Sequence, residues 1–395
     1  MSQARPIRVL QVIDSLGMGG AERWLMELLR LWSKTEAVQM DVLASGGKTG
    51  IFDDEARQLG AKVHYLKYGR QQLPAFARQF RRLLLDGRYD AIHDHQDYIS
   101  GWHFLMGDGA LPSVRITHVH NPSYQIRNNY GVTLARRITA RIGKALVARY
   151  STHITGTSRQ AIAEYGFDTS RFKRIPKAAL HCGFQPARFA GERDPAKASV
   201  CAEFGWPEDA EIILFVGRID VSVDCAHPQT HKNSAFAVSV GMEAAQREER
   251  ACMLLAGAPS PAVRILEHRI AAAGLSDRIR FVGIRNDAER LMLGSNVLLF
   301  PSRGEGLGMA AVEAQAAGLP VLASEGVPRE CVVVPELVRF QKVEAGEAAW
   351  ASELLRLAKW PRGNVDANRR VAASAFSIEN SAGALLRLYS EGALS

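Results

Sequence analysis

Val297-Leu298-Leu299-Phe300-Pro301-Ser302-Arg303-Gly304-Glu305-Gly306-Leu307-Gly308-Met309-Ala310-Ala311-Val312-Glu313-Ala314-Gln315-Ala316-Ala317-Gly318-Leu319-Pro320 reads as strand, turn and helix. The apolar run Val297 to Phe300 predicts a buried strand of a parallel sheet. The small-residue stretch predicts a helix from near Gly308, stopped by Gly318 and Pro320. The glycines then sit between strand and helix, where free backbone N–H groups and the positive end of the helix dipole favour an anion such as phosphate. Glu305 and Glu313 bracket the turn. At 1.5 Å rise per residue they stand roughly 12 Å apart, the span of a sugar, a diphosphate and a ribose. An ordinary turn with two solvated glutamates is the plainer alternative.

The rest of the chain repeats this alternation. Strands are expected at Arg8 to Ile13, Val38 to Ala44, Lys62 to Leu66, Ala91 to His93, Val114 to Val119 and His153 to Gly156. The second half adds Ile212 to Val216, Ala251 to Ala256, Ile279 to Val282, Val297 to Phe300 and Pro320 to Ser324. Helices are expected at Ala21 to Ser33, Lys232 to Arg250, Pro261 to Ala273 and Asp287 to Leu293. Alternating β and α implies two doubly wound parallel sheets, so an α/β chain with two Rossmann-like domains.

Glu305, seven residues, then Glu313 inside a glycine-rich turn and an Ala-rich helix resembles the signature of glycosyltransferase family 4. Gly304-Glu305-Gly306-Leu307 and Val312-Glu313-Ala314-Gln315-Ala316-Ala317-Gly318-Leu319-Pro320 look most like its capsule and exopolysaccharide branch. The resemblance covers essentially the whole chain. It implies the GT-B fold, two Rossmann-like domains facing a cleft. The expected divisions are 1–189 for the acceptor, 190–375 for the nucleotide sugar, and 376–395 as a helix crossing back to the first domain.

The resemblance also distributes roles. Arg218, after the strand ending at Val216, and Lys232 before Asn233 would hold the donor diphosphate. Two cations there stabilise the leaving group without a metal. The turn Gly306, Leu307 and Gly308 would supply N–H donors, Glu305 would contact sugar hydroxyls, and Glu313 the ribose. Ile284 and Arg285 fall where the family holds the uracil ring by backbone groups, and Gly257 matches a glycine after the second strand of that domain. Gly19 and Gly20 match a Gly-Gly-Ala-Glu turn that approaches donor phosphate or acceptor, though a tight turn alone needs the same glycines. His120 would reach the transferring sugar, while a satisfied buried histidine is the alternative. Ser158 reads as structural.

The chain departs from the family in two places. Ile219 to His231 is longer than usual and carries Asp220, Asp224, His227 and His231, which read as a surface loop or lid, or less simply as a metal or acceptor site. His181, Cys182 and Gln185 replace the usual Pro, Asn and Asp of the interdomain loop, with Arg188 and Phe189 kept. His93 and His95 share a strand face and raise a metal alternative, but no third ligand is placed by the sequence. No metal and no cofactor are expected, only a nucleotide sugar, a UDP-sugar above others, as substrate.

Composition sets the class. The chain has 395 residues, 47% hydrophobic and 23% charged, as in globular proteins. Its five cysteines, Cys182, Cys201, Cys225, Cys252 and Cys331, form no Cys-x-x-Cys pair and fit reduced thiols in a cytoplasmic protein. The net charge is +8, and no acidic residue lies between Asp108 and Glu164. That interval holds Arg115, Arg127, Arg136, Arg137, Arg141, Lys144, Arg149 and Arg159. Within it, Leu134, Ile138, Ile142, Leu146 and Val147 recur at helical spacing, so a basic amphipathic helix is expected. Its apolar stripe reads as core. Its charge suits an anionic membrane or a lipid-linked diphosphate acceptor; no nucleic-acid motif accompanies it.

The resulting expectation is a retaining, metal-independent hexosyltransferase. It would move sugar from a nucleotide sugar to a glycan or polyprenyl-diphosphate-linked acceptor in exopolysaccharide, capsule or lipopolysaccharide assembly. A nucleotide-sugar epimerase of similar fold, a non-catalytic scaffold and a nicotinamide dehydrogenase are the rivals.

Overall fold

The computed structural model describes residues 5–122, 133–360 and 364–392. The chain forms two units. One comprises residues up to Phe184 together with those from Ile378 onward; the other spans Gln185–Ser377.

The first unit contains β1 (Ile7–Ile13), α1 (Gly20–Thr35), β2 (Val38–Ala44), α2 (Asp53–Gln58), β3 (Val63–Tyr65), α3 (Leu73–Gly87), β4 (Ala91–Asp94) and α4 (Ser100–Met106). It continues with β5 (Val114–Val119), α5 (Leu134–Tyr150), β6 (His153–Gly156), α6 (Arg159–Glu164) and β7 (Lys177–Ala179). Its seven strands are all parallel, in the order β3-β2-β1-β4-β5-β6-β7.

The second unit contains α7 (Arg193–Phe204), β8 (Glu211–Val216), α8 (Ser234–Arg247), β9 (Ala251–Ala256), α9 (Ala262–Ala272), β10 (Ile279–Gly283) and α10 (Ala288–Gly294). It ends with β11 (Val297–Phe300), α11 (Met309–Ala316), β12 (Val321–Ser324), β13 (Val338–Gln341), α12 (Gly346–Ala358) and α13 (Asn364–Ala373). Its six parallel strands run β10-β9-β8-β11-β12-β13. The last helix, α14 (Ile378–Glu391), returns to the first unit.

Burial follows the apolar pattern. In α1, Leu25, Leu28, Leu29 and Trp32 face inward, and Glu36 in the left-handed region ends the helix with its N–H on the Trp32 carbonyl. In the second unit Phe236, Trp350 and Leu354 lie against Ile213, Phe215 and Met253 of the sheet. Each such buried side chain contributes about 1.5–3 kcal/mol.

Two sequence expectations shift. The helix expected from Lys232 begins at Ser234, because Asn233 takes φ 58° and breaks the helical path, leaving Lys232 in the loop. The strands β7 and β13, three and four residues long, were not anticipated; they are short, partly exposed elements at sheet edges.

Strand order decides where chemistry sits. In each sheet the order reverses once, between β1 and β4 and between β8 and β11. Ligands of open α/β sheets bind outside the carboxyl ends of strands at such a point. Arg218 follows β8 and Glu305 follows β11, so topology alone brings them to one switch point. In the first unit, the Gly17–Gly20 turn follows β1 and His95 follows β4.

Candidate active site

The second unit assembles most of the anticipated donor residues. Lys232 Nζ lies 2.6 Å from Glu305 Oε1, with both side chains mostly buried. The ammonium also stands 5.5 Å from the centroid of the Phe300 ring. Gly217 leaves the lysine its path: a Cβ there would come 3.3 Å from Lys232 Cδ. Arg218 is exposed, and among the described residues no ion pair involves it.

Asp220 organises the loop between them, a role the sequence reading did not assign. Its Oδ1 accepts the N–H groups of His231 and Lys232 at 2.9 and 3.1 Å. Its Oδ2 accepts the N–H of Ser234 at 2.9 Å and the Ser234 hydroxyl at 3.3 Å. One buried carboxylate thus starts α8 and holds the Lys232 backbone. The long 219–231 connection is therefore anchored at both ends. Inside it, Asp224 Oδ1 accepts the Ala226 N–H at 2.8 Å and His227 Nδ1 accepts the Gln229 N–H at 3.2 Å. These are turn-forming bonds. A carboxylate two residues after Arg218 and a serine opening the next helix were the available signal.

The glycine turn takes the expected form. Gly308, φ 95°, caps α11, and a Cβ there would meet Val327 Cγ1 at 2.9 Å. Leu307 is buried, Gly306 and Glu313 are half-buried, and Glu305 donates its N–H to the Gly326 carbonyl at 3.2 Å. Gly257, φ 157°, admits no side chain, since a Cβ would fall 1.9 Å from the Gly217 carbonyl oxygen. That contact closes β8 against β9 beside Arg218. Ile284 is half exposed. The Arg285 guanidinium binds Asp287 at 2.8 and 2.9 Å and Glu203 at 2.8 Å, so its side chain fastens this segment to α7.

In the first unit, Gly20 is open and Gly19 faces Glu22. A Cβ on Gly19 would stand 2.1 Å from Glu22 Oε2, so the glutamate folds back over the start of α1. Burial pushes the Glu22 carboxyl up, and nearby Asp14 adds to this. Ser158 caps α6, accepting the Ala161 N–H at 3.0 Å, a structural role.

His93, His95, His118 and His120 come together on one face of β4 and β5. His120 Nε2 lies 2.7 Å from His95 Nδ1, and His93 Nε2 lies 3.0 Å from His118 Nδ1. Trp24 meets all four rings, with centroids 5.5–6.3 Å apart. The third histidine that the sequence did not place is His118: its nitrogen and those of His93 and His95 lie within 4.8 Å of one another. The facing nitrogens, however, sit at proton-sharing distances. Burial lowers the pKa of all four, His120 to about 3, so the cluster is neutral. Asp97 supports it from below. Its carboxylate accepts the backbone N–H of His120 and the Tyr165 hydroxyl, the latter at 2.9 Å, and burial raises its pKa to about 7.

The basic helix is α5, but its apolar stripe is not core. Leu134, Ile138 and Ile142 are 73, 50 and 41% exposed, beside exposed Arg136, Arg137 and Arg141. Only Gly143 and Val147 are buried. Close packing explains this: a Cβ at Gly101 of α4 would come 2.3 Å from the Gly143 carbonyl, and Trp102 Nε1 donates to the Thr139 carbonyl at 3.1 Å, so the helix is pinned along the line of Thr139 and Gly143 rather than along its apolar stripe. Arg127 lies outside the described residues. Among them no helix is long and apolar enough to cross a membrane.

Known proteins agree with this architecture. A family model described as glycosyl transferases group 1 matches residues 210–359, and one described as glycosyl transferase 4-like domain matches residues 19–177. A Bacillus subtilis protein named as the glycosyltransferase EpsF is 27% identical over 97% of this chain and 96% of its own. The Staphylococcus aureus capsular polysaccharide biosynthesis glycosyltransferase CapH is 25% identical over 78% of each. The structure of Anabaena Alr3699/HepE, solved with UDP and glucose, superposes with a TM-score of 0.74 at 15% identity, covering 98% of this chain and all of that one. That of WaaG, a glycosyltransferase of lipopolysaccharide biosynthesis, gives 0.70 at 14% identity, over 97% of this chain and 100% of its own. With both halves matched, the order of the two sheets and the glycine turn between Glu305 and Glu313 have one reading: the chain belongs to glycosyltransferase family 4, a sugar-transferring enzyme of the GT-B fold.

Proposed function

We propose that this chain is a retaining, metal-independent transferase that moves a hexose from a UDP-sugar to a hydroxyl of a glycan or polyprenyl-diphosphate-linked acceptor. Its setting is bacterial-type exopolysaccharide, capsule or lipopolysaccharide assembly on the cytoplasmic membrane face. The observation that carries the reading is the Lys232–Glu305 pair at 2.6 Å, set at a strand-order switch point beside a helix N-terminus. Such a place offers a cation and N–H donors to a diphosphate, and a carboxylate to sugar hydroxyls. A relative named for capsular polysaccharide biosynthesis, and neighbours solved with UDP, support the substrate class.

In this reading Arg218 and Lys232 neutralise the charge that grows on the diphosphate as the bond from sugar C1 to phosphate oxygen breaks. Glu305 leaves its lysine for the sugar, Glu313 takes the ribose hydroxyls, and His120 hydrogen-bonds the transferring sugar. The acceptor oxygen bonds C1 on the same face, and its proton passes to the departing phosphate. No separate base is required. The exposed apolar and basic face of α5 suits an anionic lipid surface, where a lipid-linked acceptor resides.

The test is release of free UDP or GDP from UDP- and GDP-sugars in EDTA, with and without a polyprenyl-diphosphate-linked sugar. Acceptor-dependent release from one donor, lost in Glu305→Gln and Lys232→Ala, supports the proposal. No release from any donor and no nucleotide binding overturns it in favour of a scaffold.

A further inference from the structure

The four histidines are part of a longer hydrogen-bonded chain. His95 Nε2 lies 2.9 Å from Gln11 Oε1, and Gln11 Nε2 donates to the Tyr389 hydroxyl at 3.0 Å. That hydroxyl lies 2.7 Å from His93 Nδ1. Beyond His93, the path reaches His118 Nδ1 and the Thr155 hydroxyl, each step 3.0 Å. The sheet register makes this possible: Gln11 is paired with His93, and His118 with Thr155, so these side chains share one face. Tyr389 arrives from α14, 378 residues from Gln11.

A neutral imidazole has one donor nitrogen and one acceptor nitrogen. An amide oxygen only accepts, so His95 Nε2 carries its proton and His95 Nδ1 is a lone pair. His120 Nε2 must then donate to it, which leaves His120 Nδ1 as a lone pair. On the other arm, the Tyr389 oxygen accepts from Gln11 and its hydroxyl proton goes to His93 Nδ1. His93 Nε2–H then donates to His118 Nδ1. The direction of every bond follows from the orientation of one amide. Reversing that amide would reverse the arm through His95 and put a proton on His120 Nδ1.

We infer that Gln11 and Tyr389 are positioning residues for transfer: their bond couples the Gln11 amide to the His93 arm, and the orientation of that amide sets which nitrogen of His120 is bare. This rests on the reading of His120 as a group that meets the transferring sugar. With Nδ1 as a lone pair, His120 accepts from a hydroxyl or lends electron density to a developing oxocarbenium ion. With a proton there it does neither. The distances between facing nitrogens, 2.7 and 3.0 Å, suit a shared proton better than a tetrahedral metal, whose nitrogen ligands at about 2.0–2.1 Å stand roughly 3.3 Å apart.

The experiment is long-range ¹⁵N NMR of the histidine rings in the full chain without substrate, beside steady-state kinetics. The expected parent spectrum has His95 and His120 both protonated at Nε2. In Gln11→Met the His95 proton moves to Nδ1 and His120 inverts with it, while kcat falls at least tenfold and the donor KM stays within twofold. Tyr389→Phe, which keeps the ring, populates both forms and gives an intermediate kcat. A parent His120 protonated at Nδ1, unchanged tautomers in Gln11→Met, or uptake of one equivalent of zinc with loss of the ring N–H signals overturns the inference. The ring signals are read without turnover, so they decide the chain even if no donor is used; a fully active His120→Ala instead removes the role assigned to His120.

Discussion

Lys232 Nζ and Glu305 Oε1 are 2.6 Å apart, closing the cation proposed for the diphosphate onto the carboxylate proposed for the sugar. Each group thereby holds the other's place. A diphosphate must draw the ammonium away, and sugar hydroxyls must satisfy the carboxylate it leaves. The two variants should therefore differ. Lys232→Ala loses diphosphate charge pairing, so affinity for UDP and for the UDP-sugar falls together, by 10-fold or more. Glu305→Gln keeps UDP affinity within about threefold but lowers kcat/KM by 100-fold or more, since a charged hydrogen bond of this kind is worth roughly 1.5–3 kcal/mol in binding and more in the transition state. Calorimetric titration with UDP, set beside initial rates, separates them.

Gly257→Ala should be among the most damaging single methyl additions in the second unit. The new Cβ would lie 1.9 Å from the Gly217 carbonyl, a backbone atom that cannot swing aside. Strand β9 must separate from β8 there, at a cost on the order of 3 kcal/mol. Urea unfolding followed by tryptophan fluorescence reads it as a lower midpoint. An unchanged midpoint would show that the two strand ends are not packed as described.

Asp97→Asn should stabilise the protein at alkaline pH. The Asp97 carboxyl has its pKa raised to about 7 by burial, above its unfolded value of about 3.9. Between those two values the folded chain binds the extra proton, so stability falls as pH rises through this window. Above pH 7 the full penalty, on the order of 4 kcal/mol, is present. Asparagine stays neutral and tolerates the left-handed φ of 51° found here. The variant should therefore show a melting temperature that varies less between pH 5 and pH 8, and a higher one at pH 8.

The exposed face of α5 predicts a charge-dependent affinity for lipid. Vesicles with anionic headgroups should sediment the protein, and neutral ones should not. Replacing Arg136, Arg137 and Arg141 by Gln should release it, at roughly 1 kcal/mol per charge near the surface, while leaving the melting temperature unchanged because all three are exposed. Leu134→Ser with Ile138→Ser should weaken binding at low salt as well, where charge alone would suffice.

Much of the donor half was legible because parallel buried strands read as unbroken apolar runs. β8, β9 and β11 were bounded within a residue for that reason. Gly308, at φ 95°, and Gly257, whose Cβ would strike the Gly217 carbonyl, were legible because glycine is favoured where φ is positive or backbones touch. Lys232 was assigned to a helix because Asn233 tolerates the left-handed region without requiring it, so the turn there did not stand out from the helical pattern after it. Leu134, Ile138 and Ile142 were assigned to the core because helical spacing shows that residues share a face, not what covers that face. Gln11 and Tyr389 carried no signal at all: their meaning depends on a contact between the first strand and the last helix.

That contact has a consequence for biosynthesis. The face of β1 and β4 that holds the histidines is covered in part by α14, which follows the entire second unit in the chain. The second unit has all its own strands in one uninterrupted segment. The first unit, though synthesised first, must wait with polar imidazoles and Trp24 uncovered until Ser381 and Tyr389 arrive to bind Trp24 Nε1 and His93. A nascent chain stalled before residue 378 therefore exposes this sheet face to chaperones.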